Sequence, residues 1–469
     1  MKRIAIIGGG IAGLSAAFYL EKARRAGADL QWTLFEKSDR LGGVIRTEHR
    51  DGFVMEAGPD SYLAAKPEAT FLCQELGLNH ELIWSNDEGR KTYIVVKGEL
   101  ISIPQGLEFM VPTRVWPMAT TPLFSFSTKL RMAAELFSSA RKNDADESVG
   151  DFVRRHFGQE MVDRVAEPLL AGVYGGNVEE LSVRAVLPRF AEMERQHGSL
   201  VRATLRAKAQ AKANAHRYAQ NKALFSSLKN GMEQLVGALL GALPQLSIRL
   251  EQQETSVRQV NDDWQVESNG VQERFQAVLL AVPGPVAAGL LRQFHPKLIE
   301  GLARIQYTSS AAVALAYEDV DLPPGHGFLV PRSERRKIMA CTFVHRKFNH
   351  RVPDGKKMLR CFFSSSRMPD LLTYSEEALQ QIARQELKEI LGLNAEPIFA
   401  RTFLWDRAMA QYETGHLDRV AEMEKIIAAM PGFHIIGNSF HGIGVPDCIK
   451  SARQAVEQIT SAVSQPAVV

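Results

Sequence analysis

Lys2-Arg3-Ile4-Ala5-Ile6-Ile7 is a short, mostly apolar run that ends on Gly8-Gly9-Gly10-Ile11-Ala12-Gly13, and a helical stretch follows. No other feature of the chain constrains its fold as tightly. The order predicts a buried strand that feeds a helix through a turn too tight for side chains. Gly8 lets the chain turn sharply, Gly10 lets the backbone approach a pyrophosphate, and Gly13 lets helix and strand pack closely. The N–H groups and positive pole at the helix head then face the phosphate. A second strand ends on Leu34-Phe35-Glu36-Lys37, where an acid accepts hydrogen bonds from a ribose 2′-OH. Strand, glycines, helix, strand and acid in register predict a dinucleotide cradle, open at this point to nicotinamide or flavin. The bland alternative is a tight βα turn that holds no ligand.

The chain has 469 residues, enough for about two or three domains at ~150 residues each. Hydrophobic residues make up 45% and charged residues 23%, an ordinary balance for a globular protein able to bury a large core. The net charge of +3 calls for no nucleic-acid partner, so any basic character that matters is local. Cys73, Cys341, Cys361 and Cys448 are scattered without CxxC or zinc spacing. They read as reduced, buried thiols, and no metal site is expected. No signal peptide stands out, and the apolar stretch Phe275 to Leu291 is broken by Pro283 and Pro285. A cytoplasmic protein is expected, either free or peripheral on the cytoplasmic face of the membrane.

The pattern along the chain predicts an α/β fold with a Rossmann-like nucleotide domain built from three separated segments, 1–88, 231–295 and 405–469. Short alternating runs at Leu246 to Leu250, Ser256 to Val260, Trp264 to Glu267 and Ala277 to Val282 read as strands. Phe433 to Asn438 reads as a last strand, and Asp447 to Gln458 as a helix. Residues 89–104 and 296–404 form a mixed-sheet substrate domain, with strands at Ala311 to Tyr317 and Met358 to Ser364. Ser375 caps a helix to Leu391, with Glu376 and Glu377 in its first turn. Residues 105–230 form a helical domain with apolar periodicity over Thr128 to Lys142 and Ser148 to Phe157.

Four motifs narrow the reading. They are Arg40-Leu41-Gly42-Gly43-Val44 behind the cradle, Glu56-Ala57-Gly58-Pro59-Asp60-Ser61-Tyr62-Leu63 with Lys66, Glu167-Pro168-Leu169-Leu170-Ala171-Gly172-Val173-Tyr174-Gly175-Gly176-Asn177, and Gly437-Asn438-Ser439-Phe440-His441-Gly442-Ile443-Gly444-Val445-Pro446-Asp447-Cys448-Ile449. With the cradle, they resemble the oxygen-dependent protoporphyrinogen/coproporphyrinogen oxidases of haem synthesis, from Lys2 to about Ala462. The resemblance implies FAD as cofactor, and six-electron oxidation of a porphyrinogen to a porphyrin with molecular oxygen as acceptor and peroxide as product. Coproporphyrinogen III is favoured over protoporphyrinogen IX, because Lys66 is the form seen in bacterial members. Flavin amine oxidases, carotenoid-type desaturases and isoprenoid-carrying Rab GDP-dissociation inhibitors share the cradle and stay as alternatives.

The resemblance implies the following cofactor contacts: Gly8, Gly9, Gly10, Ile11, Ala12, Gly13, Glu36, Lys37, Arg40, Gly42, Gly43, Val44, Gly58, Pro59, Asp60, Ser61, Val257, Trp405, Ile443, Gly444 and Val445. Gly58-Pro59 also reads directly as a sharp turn whose backbone could approach a ring. The turn before Asp447 would set a helix N-terminus against negative charge building on a flavin. Lys66 suits a propionate carboxylate as a compact ammonium, and Gly172 suits a flat macrocycle pressed against backbone. Arg90 and Lys91 are the alternative propionate partners, because Thr92 stands where plant and animal members carry an arginine. No catalytic base is expected, and His441 reads as a loop hydrogen-bonder.

Phe109, Met110, Val111, Trp116, Met118, Phe124 and Phe126 alternate with Pro112, Pro117 and Pro122, which suits an interfacial segment or the mouth of an apolar tunnel. Arg195 to Met232 holds eight Lys/Arg and no acid. Within it, Arg202, Arg206, Lys208 and Lys212 recur at helical spacing, for anionic lipid, a partner or solvent. Monomer and homodimer are both compatible with the sequence.

Overall fold

A computed structural model describes residues 1–88, 90–141, 145–214, 223–253, 255–291 and 294–461. The chain divides into two compact units, where the sequence reading has three domains. One comprises 1–85, 224–306 and 417–469, and the other 86–223 and 307–416. The sheet and helical insertions thus share a unit. The first unit's last segment starts at Leu417 rather than 405, because strand Phe399–Ala410 is paired along its length to strand Tyr307–Tyr317.

The first unit is built on a five-stranded parallel sheet. Its strands are β1 (Lys2–Ile7), β2 (Leu30–Phe35), β3 (Ile248–Arg249), β4 (Ala277–Leu280) and β5 (Phe433–Ile435), in the spatial order β3-β2-β1-β4-β5. The inner strands β1 and β4 are almost wholly buried, as their continuous apolar runs require. Helix α1 (Ile11–Arg25) and helix α2 (Val445–Ser461) pack together on the sheet. In α2, Val445, Cys448, Ile449, Ala452, Ala455, Val456 and Ile459 are buried, a 3.6-residue stripe that faces the core formed with Leu14, Ala17 and Leu20 of α1. A three-stranded antiparallel sheet, Ser256–Val260, Asp263–Ser268 and Val271–Phe275, belongs to the same unit. The expected strand Leu246 to Leu250 is kept only at Ile248–Arg249, which pairs with β2, while its start is a 3-10 turn, Gln245–Ser247, with Leu246 99% exposed.

The second unit holds a seven-stranded mixed sheet in the order Phe399–Ala410, Tyr307–Tyr317, Lys357–Ser364, Ala340–Phe343, Gly327–Leu329, Thr92–Val96, Glu99–Ser102. Helix Glu376–Leu391 covers it through Leu379, Ala383, Leu387 and Ile390. Ser375 caps that helix by accepting from Ala378 N at 3.2 Å. The helical part contains Phe126–Ala134, Val149–Phe157, Glu167–Tyr174, Pro188–His197 and Leu200–Asn214. The helix expected over Thr128 to Lys142 stops at Ala134 and gives way to a 3-10 turn, Glu135–Phe137. There the buried Glu135 carboxylate accepts from Ser199 Oγ (2.7 Å) and Leu200 N (2.6 Å), capping the distant helix Leu200–Asn214 instead of extending its own. Lys142 and residues 215–222 of the basic run lie outside the described residues. No helix among the described residues is long and apolar enough to cross a membrane.

Candidate active site

Gly8 sits at φ +109°, and a Cβ there would lie 2.5 Å from Ala281 O. A Cβ on Gly13 would lie 1.9 Å from Gly8 O, so helix and turn meet backbone to backbone. At Gly10 a Cβ would meet nothing within 4 Å. Gly10 is the N-cap of α1, and neither a side-chain cap nor a first-turn acid occupies the helix head. Open space above an uncapped positive pole is what a diphosphate needs, so these residues fit the ADP half of FAD. Ile11 and Ala12 open the helix beside it. Glu36, one residue past β2, accepts from Gly9 N at 2.6 Å and from Ser38 N and Oγ at 2.9 and 2.8 Å. Its carboxylate is therefore locked in place at the carboxyl end of the sheet.

The second glycine turn is sewn to the first. Gly42 N donates to Gly9 O at 2.8 Å, Gly10 and Gly42 form a parallel bridge, and Gly43 is left-handed at φ +57°. Arg40 donates to Gly43 O (2.6 Å) and Ile45 O (2.9 Å), so its guanidinium staples this turn. Val44 is exposed, and its carbonyl oxygen would lie 1.9 Å from a Cβ on Gly58. Gly58-Pro59 thereby closes against the same turn. Asp60 and Ser61 follow, with Ser61 Oγ donating to Asp60 Oδ1 at 2.6 Å and Ser227 Oγ to Asp60 O at 2.7 Å. Lys37 is exposed and its carbonyl accepts from Gln253 Nε2 at 3.0 Å. Val257 is buried on Ser256–Val260, opposite Val266.

At the head of α2, Gly444 is the residue before the helix and Asp447 is the third within it. Asp447 Oδ2 accepts from Gly444 N at 3.1 Å, the acid half of a capping box. Both Asp447 oxygens also accept from Lys66 Nζ, each at 2.7 Å. Ile443, Gly444 and Val445 lie on this loop, and Gly437 at its start (φ +106°) would set a Cβ 3.6 Å from the Ala12 side chain. The heads of α1 and α2 thus open at the same edge of the sheet. The Asp447 partnership was not read from the sequence, although an acid three residues after a glycine N-cap is a legible signal. His441 Nε2 lies 2.7 Å from Glu424 Oε1, a loop contact. Burial, and then the Asp447 charge, push the Cys448 thiol up to about 12, so it stays protonated and inert. All four cysteines are buried and free. Among the described residues, no group of three or more His, Cys, Asp or Glu could hold a metal ion.

In the second unit, Gly172 lies inside helix Glu167–Tyr174. The left-handed terminator is Gly175 at φ +62°. Gly172 and Val173 are exposed, and a Cβ on Gly172 would meet only Leu329 Cδ2 at 4.0 Å. The helix presents bare backbone there. A π-helical turn, Val162–Ala166, precedes it. Buried groups hold both of its ends. Arg367 donates to Glu167 Oε1 (3.0 Å), Glu167 Oε2 (3.3 Å) and Val330 O (2.6 Å). Ser364 Oγ donates to Gly175 O (2.6 Å), and Gln411 Nε2 to Tyr174 O (2.7 Å). No motif flagged Arg367 or Gln411, because their partners lie about 200 residues away in sequence. Trp405 is half-buried on Phe399–Ala410, paired with Ser310 beside a bulge at Ser309. Ser309 Oγ locks that bulge, donating to Asp406 Oδ1 and accepting from Arg407 N, both at 2.9 Å. Arg90 and Lys91 are exposed before strand Thr92–Val96. Lys66 belongs to the first unit, and Gly172 and Trp405 to the second.

A parallel sheet with a glycine cradle, an acid at the second strand end and a second glycine turn at the same edge defines a dinucleotide-binding protein. The chain matches the family described as flavin containing amine oxidoreductase over residues 11–460, and it belongs to that family. FAD is accordingly its cofactor. It is 34% identical to the coproporphyrinogen III oxidase of Bacillus subtilis (strain 168), over 97% of each chain. It is 27% identical to protoporphyrinogen oxidase 2 of Arabidopsis thaliana, over 98% of this chain and 94% of that one. A crystal structure from Exiguobacterium sp. 255-15, provisionally named a protoporphyrinogen oxidase, superposes with a TM-score of 0.86 at 32% identity, covering 98% and 99% of the two chains. Cyclohexylamine oxidase from Brevibacterium oxydans IH-35A shares the fold, with a TM-score of 0.72 at 16% identity over 99% and 100%.

Proposed function

We propose that this chain is an FAD- and oxygen-dependent oxidase that removes six electrons from a porphyrinogen, with coproporphyrinogen III as its substrate and coproporphyrin III and hydrogen peroxide as products. The observation that carries this reading is end-to-end similarity, at 34% identity, to relatives named coproporphyrinogen III oxidase. When bound, FAD supplies the two-electron acceptor, so the protein's own task is placement. The heads of α1 and α2 hold the dinucleotide by backbone amides, with Glu36 on the adenosine ribose and Val257 beside the adenine. Gly58-Pro59 walls the ring. Gly172 offers bare helix to the flat macrocycle. Lys66 has one Nζ hydrogen left beyond its two Asp447 bonds, for a propionate. A porphyrinogen's pyrrole nitrogens release their own protons, which fits a site without a strong protein base.

Purified protein should be yellow and convert coproporphyrinogen III to fluorescent porphyrin with peroxide release. A higher kcat/KM on protoporphyrinogen IX would overturn the substrate, and a colourless preparation would overturn the flavin reading.

The same reading includes contact with an anionic membrane surface through the second unit. Phe126 and Leu130 of helix Phe126–Ala134 and Phe137 of the 3-10 turn after it are exposed, as are Val115 and Trp116, with Arg114 and Arg131 nearby in sequence. Vesicles containing phosphatidylglycerol should sediment the protein, and Trp116→Ser/Phe126→Ser should abolish this. Equal sedimentation of the variant would refute the contact.

A further inference from the structure

We infer that Lys66 is a charge-compensating positioning residue: it cancels the Asp447 carboxylate held in the first turn of α2, and so keeps that helix head electropositive toward the flavin. The inference rests on the FAD reading above and concerns how this chain tunes the cofactor.

The two helix heads differ in one respect. That of α1 has no first-turn acid, although the Glu36 carboxylate accepts from Gly9 N, one residue ahead of its N-cap. That of α2 carries Asp447, seated where its Oδ2 accepts from Gly444 N at 3.1 Å. The loop wraps it closely. Gly442 turns at φ +95°, and a Cβ there would lie 2.5 Å from the Asp447 carboxyl carbon. The side chain is 15% exposed. A helix N-terminus is worth roughly +0.5 of an elementary charge. A carboxylate in the first turn brings the head to about −0.5, and a salt-bridged ammonium returns it to about +0.5. Lys66 supplies that ammonium at 2.7 Å from both oxygens, from a position 381 residues away in sequence. Capping does not need it, since Asp447 already satisfies the Gly444 amide.

The consequence is electrostatic. A flavin that takes up two electrons gains negative charge, which a positive head stabilises and a negative head opposes. A Cβ on Gly437 would lie 3.6 Å from the Ala12 side chain, so the α2 loop runs alongside the cradle and this charge sits at the edge of the sheet where the dinucleotide binds.

The test is the two-electron midpoint potential of bound FAD, measured anaerobically without substrate. Lys66→Met should shift the oxidised/reduced equilibrium about tenfold toward oxidised, which is about 30 mV more negative for a two-electron couple. Asp447→Asn should shift it in the opposite direction. The double variant should return toward wild type, and Lys66→Arg should keep the wild-type potential. An unmoved potential in Lys66→Met, with only KM raised, would make Lys66 a substrate clamp and overturn the inference while leaving the flavin reading intact. A double variant as negative as Lys66→Met would also overturn it. Wild-type protein that takes up no FAD would overturn both.

Discussion

Replacing Arg367 with leucine should cost more stability than any exposed ion-pair deletion in this protein, and should loosen the helix that carries Gly172. Arg367 and Glu167 have side chains only 4% and 7% exposed. Burial pulls the Arg367 pKa down, and only the Glu167 charge and hydrogen bonds act strongly against it. Removing the guanidinium strips Glu167 of both hydrogen bonds that Arg367 Nη2 donates to it. It keeps Arg332 N at 3.0 Å, and Arg332 Nε stays 3.9 Å away. The carbonyls of Val330 and Ile338 lose a donor as well. Breaking a buried pair from one side costs about 3–5 kcal/mol, whereas removing both partners costs far less. Arg367→Leu should therefore lose ~3–5 kcal/mol in urea unfolding, and Arg367→Leu/Glu167→Leu should recover a large part of it. Because only the N-terminal anchor is lost, KM for the porphyrinogen should rise, while the glycine cradle, which Arg367 does not touch, should keep its FAD. A loss below about 1 kcal/mol, or strict additivity of the two substitutions, would refute the argument.

Two further outcomes follow from the geometry. Gly13→Ala would place a methyl 1.9 Å from Gly8 O, so the cradle must open; FAD should be lost on gel filtration, and a normally yellow variant would contradict this. His156 is buried with Nδ1 2.9 Å from Glu135 and Nε2 3.3 Å from Glu194. Burial pulls its pKa down, but hydrogen bonds and charge from the two acids outweigh this and raise it above 6.5, while the same cluster, with Arg155, lowers Glu194 to about 2. The imidazolium's contribution is complete below about 6.5 and fades as pH climbs through its folded pKa. The Glu194 contribution is complete above about 4.5 and fades toward pH 2. Thermal scans of His156→Gln should lose the alkaline dependence, and an unchanged profile would show that His156 is neutral.

The α/β class and the cradle were legible because their causes are local. A turn that needs positive φ at Gly8, an approach of 1.9 Å at Gly13 and a buried β1 each demand particular residue types at adjacent positions. The capped helix at Ser375 and the stripe of α2 were legible for the same reason. Those signals could not say which distant groups would meet. Lys66 reads in sequence as a free ammonium for a substrate, and folding turns it onto Asp447. Arg40 reads as a cofactor contact, and the structure uses its guanidinium on two backbone carbonyls. Strand Phe399–Ala410 and the Glu135 cap placed boundaries that periodicity alone had drawn elsewhere. By itself, then, the sequence determined a dinucleotide-binding α/β fold, because backbone sterics act within a few residues, and the flavin came with the resemblance of its motifs. Tertiary structure decided which charges are paired and buried, because pairing is a property of positions in space, and burial sets how much each pair is worth.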